Sequence, residues 1–317
     1  MELLRRHGVW APVAGFAAWA VFRLFGLDGW YPGMQLMAFT PYVALASLLA
    51  PVAALLARNR AAAVAAGTVA VALAVCVLPR AIPDRDAMDG VEIRVMSANL
   101  LAGGAEAGSV TGLVRRHRVD VLAVQELTPD GQRALDAAGL AELLPYRAAH
   151  PVPGVVGSAV YARFPLRDLG LEELPSTFGQ ARAVVAVPGS GEVEVVSVHP
   201  CAPAPGRPVS CWSKDFARLP AATPDGTLRL LVGDFNATLD HRAVRRLLAT
   251  GYRDAAATTG AGLVPTWRGR WWVPGVTLDR VVVDRRVWIR AFSVHDLPDS
   301  DHRAVVATLV LPALRAG

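Results

Sequence analysis

Charge is scarce in this sequence, and lysine is almost absent. Charged residues account for 19% of the 317 residues, and Lys214 is the single lysine. From Val91 to the C terminus there are 25 basic and 22 acidic residues, an excess of +3. A nuclease that binds DNA without sequence preference usually presents a basic stripe, and this excess is too small to predict one. Composition alone therefore does not predict a nucleic-acid partner.

Cysteine is also scarce. The three cysteines are Cys76, Cys201 and Cys211, and no Cys-x-x-Cys spacing occurs. That absence argues against a zinc site. Cys201 and Cys211 are close enough in sequence to pair in an oxidising compartment, and a disulfide there would tether the loop that leaves His199. Two unpaired thiols are the alternative.

Apolar residues, in contrast, make up 53% of the chain, which is high for a soluble enzyme. The excess is concentrated in residues 9–27, 34–57 and 61–79, which contain a single charge at Arg23. Each stretch is close to the length that spans a bilayer, and each is apolar on all sides, unlike the amphipathic core helices of a soluble domain. We therefore predict a membrane anchor at residues 1–79 with three transmembrane helices.

Basic residues near these stretches set the predicted orientation. Arg5 and Arg6 precede the first stretch, and Arg58 and Arg60 lie between the second and the third, whereas the other loop carries Asp28. Because basic loops stay in the cytoplasm, the N terminus is expected inside and everything after the third stretch outside. We therefore expect a multi-pass protein of the cell membrane whose C-terminal part is extracytoplasmic.

A signal peptide over residues 1–20 is the alternative for the first stretch. Two further apolar stretches follow, however, and no small-residue cleavage site precedes a hydrophilic chain. Arg23 lies near the outer end of its stretch, where its guanidinium is expected to extend to the interface; an intramembrane functional site is the other interpretation. The pattern as a whole favours an anchor.

Residues 80–90 lose the apolar periodicity and are predicted to link the anchor to a second domain at residues 91–317. In that domain strand-like runs alternate with helical ones, and no internal repeat is found. The predicted strands are residues 93–97, 119–124, 193–198, 228–232, 276–278 and 303–311, and the predicted helices are 108–117, 130–144, 214–221 and 241–250. This alternation is compatible with an α/β fold.

Polar residues cluster beside these strand-like runs. They are Asn99, Gln125-Glu126, His199, Gly233-Asp234-Phe235-Asn236, Asp279 and Ser300-Asp301-His302. Side chains in such positions are expected to gather along one edge of a sheet. Hydrolysis of a phosphodiester needs a hard cation, an activated water and hydrogen-bond donors to the phosphate. Carboxylates, amides and imidazoles gathered in this way therefore predict a phosphodiesterase site.

The spacing of these motifs resembles that of the endonuclease/exonuclease/phosphatase superfamily, which includes deoxyribonuclease I, exonuclease III, neutral sphingomyelinases and inositol polyphosphate 5-phosphatases. The resemblance covers residues 91–311, and its strongest parts are residues 232–237 and 300–302, with Gln125-Glu126 upstream. It implies an α/β fold, a four-layer sandwich of two packed mixed β-sheets flanked by helices. In this chain the three predicted transmembrane helices precede the sandwich.

A divalent cation is expected in the site, with Mg²⁺ as the first choice and Mn²⁺ as a substitute. Mg²⁺ prefers a few carboxylate or carbonyl oxygens and keeps several waters. Glu126 is the first candidate ligand, Asn99 is expected beside it as an amide oxygen, and Asp301 is expected to complete the set. A structural role for Glu126, capping the helix that follows Thr128 and Pro129, is the alternative.

The resemblance also implies roles in catalysis. His302 is expected to be the general base that deprotonates the attacking water, and Asp279 is expected to hold the other ring nitrogen of that imidazole. Asp234 and Asn236 are expected to contact the scissile phosphate and the leaving group, with a second metal as another role for Asp234. His199 is expected to hydrogen-bond the phosphate, although a histidine after an apolar strand is usually structural.

Arg280 and three tryptophans are further candidates for contact with the substrate. Many relatives have histidine or tyrosine where this chain has Arg280, and both a phosphate contact and a surface ion pair are open for it. Trp267, Trp271 and Trp272 are candidates for an aromatic rim around a base, sugar or lipid headgroup, and packing is the alternative. Trp267 is the one expected to bind substrate.

Two hypotheses follow. The first is a membrane-anchored, Mg²⁺-dependent hydrolase that cleaves phosphodiester bonds by water attack, with extracytoplasmic nucleic acid or phospholipid headgroups as substrate. The second is an anchored binding module that has kept the fold and lost turnover; the presence of Glu126, Asp234, Asp279 and His302 argues against it. The lipid bilayer and the phosphodiester are the predicted partners, and no protein partner is predicted.

Overall fold

The computed structural model describes residues 8–84, 87–173, 178–202, 209–269 and 272–314. The helices are α1 (Trp10–Phe25), α2 (Gly33–Met37), α3 (Thr40–Ser47), α4 (Leu49–Leu56), α5 (Arg60–Val77, followed by a 3₁₀ turn at Leu78–Ala81), α6 (Ala107–His117), α7 (Pro129–Ala137), α8 (Leu140–Leu143), α9 (Val209–Phe216), α10 (Arg242–Ala249) and α11 (Ala255–Thr258). The strands are β1 (Val91–Asn99), β2 (Val121–Gln125), β3 (Tyr146–His150), β4 (Ser158–Ala162), β5 (Leu166–Glu173), β6 (Gly179–Val187), β7 (Gly191–Val198), β8 (Leu228–Asp234), β9 (Tyr252–Asp254), β10 (Asp279–Asp284), β11 (Trp288–Asp296) and β12 (Arg303–Leu311). Arg5, Arg6 and Trp271, named above, lie outside the described residues.

These strands form two six-stranded mixed sheets. The first has the order β11-β12-β1-β2-β4-β3 and the second the order β5-β6-β7-β8-β10-β9. In each sheet one central pair is parallel, β1 with β2 and β7 with β8, and the other neighbours are antiparallel. Helices α6, α7 and α8 cover the outer face of the first sheet, and α9 and α10 cover the second. The predicted arrangement of two packed mixed sheets flanked by helices is confirmed.

Small aliphatic side chains fill the space between the sheets. Val95 and Val160 of the first sheet and Val195 and Leu230 of the second are fully buried there. The central strands are also covered on their outer faces, so they are buried on both sides. That is why their sequences are nearly continuous apolar runs instead of alternating apolar and polar residues.

The predicted strand at residues 276–278 is wrong. Strand β10 begins at Asp279 and runs antiparallel to β8, with Asp279 opposite Asp234. The backbone N–H groups of Leu278 and Asp279 both donate to Thr266 Oγ1, at 2.9 and 2.8 Å. Because the Thr266 side chain accepts these bonds, residues 276–278 do not pair in the sheet. Asp279 is therefore the first residue of a strand and does not follow one.

Two predicted helices also differ from the structure. The predicted helix at residues 130–144 is interrupted, since α7 ends at Ala137 and Gly139 adopts a left-handed φ of 84°. Glycine adopts this conformation without the steric cost that other residues pay. Helix α9, predicted at residues 214–221, begins at Val209, five residues before the predicted start.

The apolar N-terminal stretches form shorter helices than predicted. Within the described residues one helix, Arg60–Ala81, is long and apolar enough to cross a bilayer, at 22 residues. Helix α1 has 16 residues. The middle stretch divides at Leu48, three residues before Pro51, whose missing N–H removes a hydrogen bond to Ser47. Three full-length spans are therefore not supported by these helix lengths.

The N-terminal helices form a bundle that is joined to the sandwich through Asp240. Arg23 Nε donates to Asp240 Oδ1 at 2.7 Å, and Arg80 Nη1 donates to Asp240 Oδ2 at 2.8 Å. The Arg242 N–H donates to Asp28 Oδ2 at 2.9 Å beside this pair. Arg23 is therefore buried in an ion pair with the other half of the molecule, a partner that the sequence did not predict.

Candidate active site

The predicted site residues converge at one end of the sandwich, where both sheets contribute. Asn99 and Glu126 lie at and just after the ends of β1 and β2, which are parallel neighbours in the first sheet. His199 and Asp234 have the equivalent positions on β7 and β8 in the second sheet. The expectation that all of them share one sheet edge is wrong. The site spans corresponding edges of two packed sheets.

Asp279 and His302 reach the same end of the sandwich by antiparallel pairing. Asp279 begins β10, which is antiparallel to β8, and His302 immediately precedes β12, which is antiparallel to β1. In an antiparallel pair the start of one strand lies beside the end of its neighbour. These two side chains therefore join those that follow β1 and β8.

His302 and Asp279 form a buried hydrogen-bonded pair. His302 Nδ1 lies 2.9 Å from Asp279 Oδ2, and Nε2 of the same ring lies 3.5 Å from Asp234 Oδ2. The backbone N–H of His302 donates to Ser300 Oγ at 3.1 Å, and Ser300 Oγ donates to the backbone oxygen of Asn99 at 2.9 Å. The pair fixes the ring so that Nε2 faces the other carboxylates, as a general base requires.

Asn99 lies between two carboxylates. Its Nδ2 donates to Glu126 Oε1 at 3.3 Å and to Asp234 Oδ2 at 3.2 Å, while its Oδ1 accepts from the Leu101 N–H at 3.0 Å. Glu126 Oε2 accepts from the Ala102 N–H at 2.7 Å. In this arrangement the amide nitrogen of Asn99, and not the expected oxygen, faces Glu126.

Glu126 does not cap the helix that follows it. Thr128 Oγ1 accepts from the Gly131 N–H at 3.0 Å and caps α7 by itself. Glu126 instead has a left-handed φ of 58°, which strains a residue with a side chain and turns its carboxylate toward Asn99. Such strain costs about 1 to 3 kcal/mol and tends to occur at functional sites.

His199 and Asn236 line the same cavity as these carboxylates. His199 Nε2 lies 3.6 Å from Glu126 Oε1 and 3.8 Å from Asp234 Oδ2. Asn236 has a left-handed φ of 49°, its N–H donates to Asp234 Oδ1 at 2.8 Å, and its Nδ2 donates to the Pro200 oxygen at 3.0 Å. Both residues therefore lie next to Asp234.

Gly233 is required for the close approach of β7 and β8 beside His199. A Cβ at this position would lie 2.0 Å from the backbone oxygen of Val198. A side chain there would push the strands apart and displace Asp234, the next residue. The glycine of the Gly-Asp-Phe-Asn sequence therefore positions the aspartate without contacting a ligand.

Asp301 and Trp267 are joined by a hydrogen bond. Trp267 Nε1 donates to Asp301 Oδ2 at 3.0 Å, and both residues line the cavity. Asp301 Oδ1 is buried and has no hydrogen-bond partner among the described residues. A buried carboxylate oxygen without a partner is costly, which is consistent with a cation site.

These residues line a cavity of about 810 Å³ whose two sides differ in chemistry. Glu126, Asp234 and Asp301 are the carboxylates of its lining, and no arginine or lysine lines it within the described residues. The other side is apolar and includes Phe39 of the helical bundle and Trp272. Three carboxylates without an arginine or lysine beside them disfavour a phosphate, and a bound cation would offset their charge.

Burial and neighbouring charge shift the pKa values of the titratable groups. Burial raises the pKa of Glu126. Burial also raises the pKa of Asp234, Asp279 raises it further, and His302 and His199 oppose that rise. For His302, burial alone would lower the pKa, but Asp279 and Asp234 outweigh burial and raise the pKa to about 10. In this field the imidazole holds its proton at neutral pH.

The donor set fits a divalent cation. Glu126, Asp234 and Asp301 supply oxygens, which is the ligand chemistry that Mg²⁺ and Mn²⁺ prefer. Asp234, Asp279 and His302 also have ligand atoms within 4.8 Å of one another. His302 Nδ1 and Asp279 Oδ2 in this group are bound to each other, so Asp234 is the carboxylate common to both sets, and Glu126 and Asp301 stay predicted ligands.

Several residues that shape the site were not singled out in the sequence. Thr266 fixes the start of β10, Asp240 anchors the loop that follows Asn236, and Met34 and Phe39 form part of the cavity lining. Met34 and Phe39 lie within a stretch predicted to cross the membrane. No local signal distinguishes them, because their proximity to the site depends on how the bundle packs.

Arg280 is neither a phosphate contact nor a surface ion pair, which are the two roles left open for it. It is 1% exposed, and its Nη1 donates to Asp254 Oδ2 at 2.9 Å. Its Nε donates to the Ala237 oxygen at 3.2 Å, and its Nη2 to the Thr277 oxygen at 2.8 Å. Arg280 thus holds together the loops on either side of Asp279.

Cys201 and Cys211 form a disulfide, as the sequence indicated. The bond links the loop after His199 to α9, and the Cys201 N–H donates to Asp215 Oδ2 at 2.8 Å. Pro200, which precedes Cys201, accepts the hydrogen bond from Asn236. The disulfide therefore stabilises one wall of the site.

Comparisons with known proteins agree with this geometry. Residues 96–302 match the model of the Endonuclease/Exonuclease/phosphatase family. The chain therefore belongs to that family, whose members are hydrolases acting on phosphodiester bonds. None of the curated proteins compared with the chain is similar enough in sequence to count as a match.

Solved structures show the same fold. An endonuclease/exonuclease/phosphatase from Beutenbergia cavernae is 20% identical, with a TM-score of 0.53 over 70% of this chain and 72% of that one. TDP2 of D. rerio in complex with single strand DNA product is 16% identical, with a TM-score of 0.53 over 69% and 98%. Truncated TDP2 of Caenorhabditis elegans is 19% identical, with a TM-score of 0.52 over 69% and 98%. At these identities the likeness concerns the fold alone.

Proposed function

We propose that this chain is a divalent-metal-dependent phosphodiesterase that uses water as the nucleophile. The observation that carries the proposal is the cavity itself, in which His302 Nε2 faces Asp234 while its Nδ1 is held by Asp279. Glu126, Asp234 and Asp301 line the same cavity, and we expect them to hold the cation. The role of each residue stays a prediction until it is tested.

In the proposed reaction, His302 Nε2 takes the proton of the attacking water, and Asp279 stabilises the resulting imidazolium. We expect His199 and Asn236 to donate hydrogen bonds to phosphate oxygens. A bound divalent cation would offset the negative charge of the cavity and polarise the phosphate. The raised pKa of His302 applies to the cavity without a cation. The positive charge of a bound cation would lower that pKa, so we expect His302 to act as a base when the cation is bound.

The first test uses the full-length protein in nonionic detergent with bis(p-nitrophenyl) phosphate. We expect turnover with Mg²⁺ or Mn²⁺, loss of turnover with EDTA, and recovery when Mg²⁺ is restored. Equal rates with EDTA would contradict metal dependence. A folded protein that binds Mn²⁺ but cleaves no phosphodiester would support the second hypothesis, an anchored binding module.

We also propose that the N-terminal helices anchor the protein in a cell membrane. Among the described residues, 20 of the exposed large apolar side chains lie before residue 83 and six lie after it. The interior of the bundle is instead formed by small residues such as Ala54, Ala62 and Ala66. In lipid, helices associate through small residues and leave large apolar side chains on the outside.

The proposed orientation places the sandwich outside the cytoplasm. Arg23 and Arg80 both bind Asp240, so the C-terminal ends of α1 and α5 lie together beside the sandwich. Helix α5 is about 27 Å long, which puts Arg58 at the far end of the bundle. Alkaline phosphatase fused after Gly90 should therefore be active, and activity of a cytoplasmic reporter at that point would reverse the orientation.

Nucleic acid and phospholipid headgroups are both candidate substrates. The complex of D. rerio TDP2 with single strand DNA product supports the first, because that protein has the same fold. The proposed membrane anchor supports the second. Turnover of single-stranded DNA, RNA and long-chain phospholipid by the full-length protein decides between them.

A further inference from the structure

The N-terminal bundle contributes part of the apolar wall of the active-site cavity, and loops of the sandwich contribute the rest. Met34, Ala38 and Phe39 come from α2 and the turn before α3, and they line the cavity that contains Asp234 and His302. In sequence this segment lies about 200 residues before Asp234. The helical bundle is therefore part of the substrate cavity and not simply a tether.

This wall is held in place by hydrogen bonds to the sandwich. His241 Nε2 lies 2.7 Å from the backbone oxygen of Met34, and Met34 is 1% exposed. Tyr42 Oη donates to the Gly275 oxygen at 2.6 Å, which ties the start of α3 to the loop that forms the facing wall. The wall is thus fixed on both sides of the cavity.

The apolar wall continues onto an exposed apolar and aromatic surface. Trp30, Tyr31, Leu36 and Tyr42 are between 39% and 52% exposed around α2, and Trp272 on the facing loop is 75% exposed. Tryptophan and tyrosine are favoured at membrane–water interfaces because one part of the ring is apolar and one part is polar. The cavity is therefore continuous with the surface that would meet the bilayer.

We propose that this wall binds the apolar ester group of an amphiphilic phosphodiester, a lipid of the bilayer, whose phosphate lies between His302 and the carboxylates. The inference rests on the proposed phosphodiesterase function and adds the substrate class. Apart from Gln35, the segment that lines the cavity from the bundle is apolar or aromatic. A long apolar chain would be desolvated there at no cost in unpaired polar groups.

The same wall is unfavourable for a nucleic acid. A nucleic-acid strand carries a negative charge on each phosphate on both sides of the scissile bond, and its binding depends on basic side chains near those phosphates. Within the described residues, neither an arginine nor a lysine lines the cavity. A lipid phosphodiester has one charge at the scissile phosphate, which the proposed cation neutralises.

The test compares methyl, octyl and hexadecyl p-nitrophenyl phosphate, cleaved by the full-length protein with Mg²⁺ at fixed nonionic detergent. Water attacks phosphorus, the bond to p-nitrophenolate breaks, and the released colour measures the same chemical step for all three. We expect kcat/KM to rise at least about tenfold from methyl to octyl, since burial of each CH₂ group favours binding. Equal values for the three substrates would overturn the proposal.

Variants locate the effect. We expect Phe39→Ala and, independently, Ala38→Trp to lower the octyl-to-methyl ratio of kcat/KM at least about fivefold. Phe25→Ala is the matched control, because Phe25 is 69% exposed on the same bundle and does not line the cavity. If the octyl-to-methyl ratio of kcat/KM falls equally in Phe25→Ala, the preference for long chains comes from the detergent, and the proposal is contradicted.

The outcomes separate this inference from the proposed function. Cleavage of all three esters without chain-length preference would support the phosphodiesterase activity and contradict the proposal that the wall binds lipid. If folded protein with bound Mg²⁺ cleaves none of the esters, both the phosphodiesterase activity and the lipid-binding wall are contradicted. Long-chain phosphatidylglycerol vesicles provide the final comparison, where turnover is expected to exceed that of single-stranded DNA at equal phosphate concentration; the reverse order would overturn the lipid assignment.

Discussion

The helical bundle before residue 83 and the sandwich after Val91 place their large apolar side chains differently. In the sandwich, valine and leucine side chains are buried between and behind the sheets, and six large apolar side chains of its described residues are exposed. In the bundle, alanines occupy the interior, and 20 large apolar side chains are exposed. Burial away from water explains the arrangement of the sandwich, and the proposed membrane anchor would account for that of the bundle.

The two halves nevertheless share one buried charge cluster and one cavity. Asp240 belongs to the loop that follows Asn236, and both of its ion-pair partners, Arg23 and Arg80, lie at the C-terminal ends of bundle helices. The bundle also contributes Phe39 to the cavity. The two halves therefore differ in where they place large apolar side chains, yet buried ion pairs join them beside the site.

The largest expected effect tests whether the chemistry resides in the sandwich. His302→Ala should lower kcat on bis(p-nitrophenyl) phosphate by about 10² to 10⁴-fold, because the general base is lost. His295→Ala is the matched control, since His295 lies on β11 and does not line the cavity. Comparable loss in both variants would mean that His302 has no special role.

The second prediction concerns the connection between the halves. Asp240→Asn should destabilise the protein by about 3 to 5 kcal/mol, because two buried guanidinium groups lose their partner. In detergent this corresponds to a fall in Tm of about 10 °C. Asp225→Asn, at an exposed turn, should leave Tm within about 1 °C. An unchanged Tm for Asp240→Asn would show that the halves are only loosely joined.

The same residue predicts a dependence of stability on pH. Burial alone would raise the pKa of Asp240, but Arg80 and Arg23 outweigh burial and lower it. A carboxylate with a lowered pKa contributes stability that is complete above about pH 4 and is lost as the pH falls further. Asp240→Asn should therefore remove part of the acid sensitivity, measured as Tm at pH 3 to 5.

The third prediction concerns the wall of the site that the disulfide tethers. Replacing both Cys201 and Cys211 by serine should cost about 2 to 3 kcal/mol, because the unfolded chain gains the freedom of a loop of sequence separation 10. Cys76→Ser, in the bundle, is the control and should have little effect on Tm. If reductant lowers the Tm of the double variant as much as that of the wild type, the disulfide is not the source of the change.

The smallest effect concerns Asp301. Trp267→Phe removes the indole N–H that orients this carboxylate and should raise the Mg²⁺ concentration for half-maximal activity about tenfold, with little change in kcat at saturating Mg²⁺. Trp288→Phe on β11 is the control. A change in kcat alone would place Trp267 in substrate contact instead of cation binding.

Motifs in the sequence predicted the family and the fold class because they are local. Gly233-Asp234-Phe235-Asn236 and Ser300-Asp301-His302 are short, and the runs before and after them have the apolar character of buried strands. The same signals placed β1, β2, β7, β8 and β12 within a few residues. They failed at residues 276–278, where an apolar run looks like a strand but Thr266 accepts its hydrogen bonds.

Other failures arose where a residue's partner is distant in sequence. A phosphate contact and a surface ion pair were the two roles expected for Arg280, yet it is buried and donates to Asp254. No protein partner was predicted for Arg23, yet it pairs with Asp240, 217 residues away. A charged side chain is buried only when the fold brings an ion-pair partner next to it. The spacing of residues in the sequence does not indicate which partner that is.

The sequence by itself determined the chemical inventory of this protein: the carboxylates, amides and imidazoles of a phosphodiesterase site, the two apolar environments and the cysteine pair. Tertiary structure alone decided that the site spans two sheets and that Asp240 joins the halves. It also decided that Met34 and Phe39 line the cavity. Side-chain chemistry and local periodicity are written along the chain, whereas the packing of distant segments depends on the balance of burial and hydrogen bonding over the whole fold.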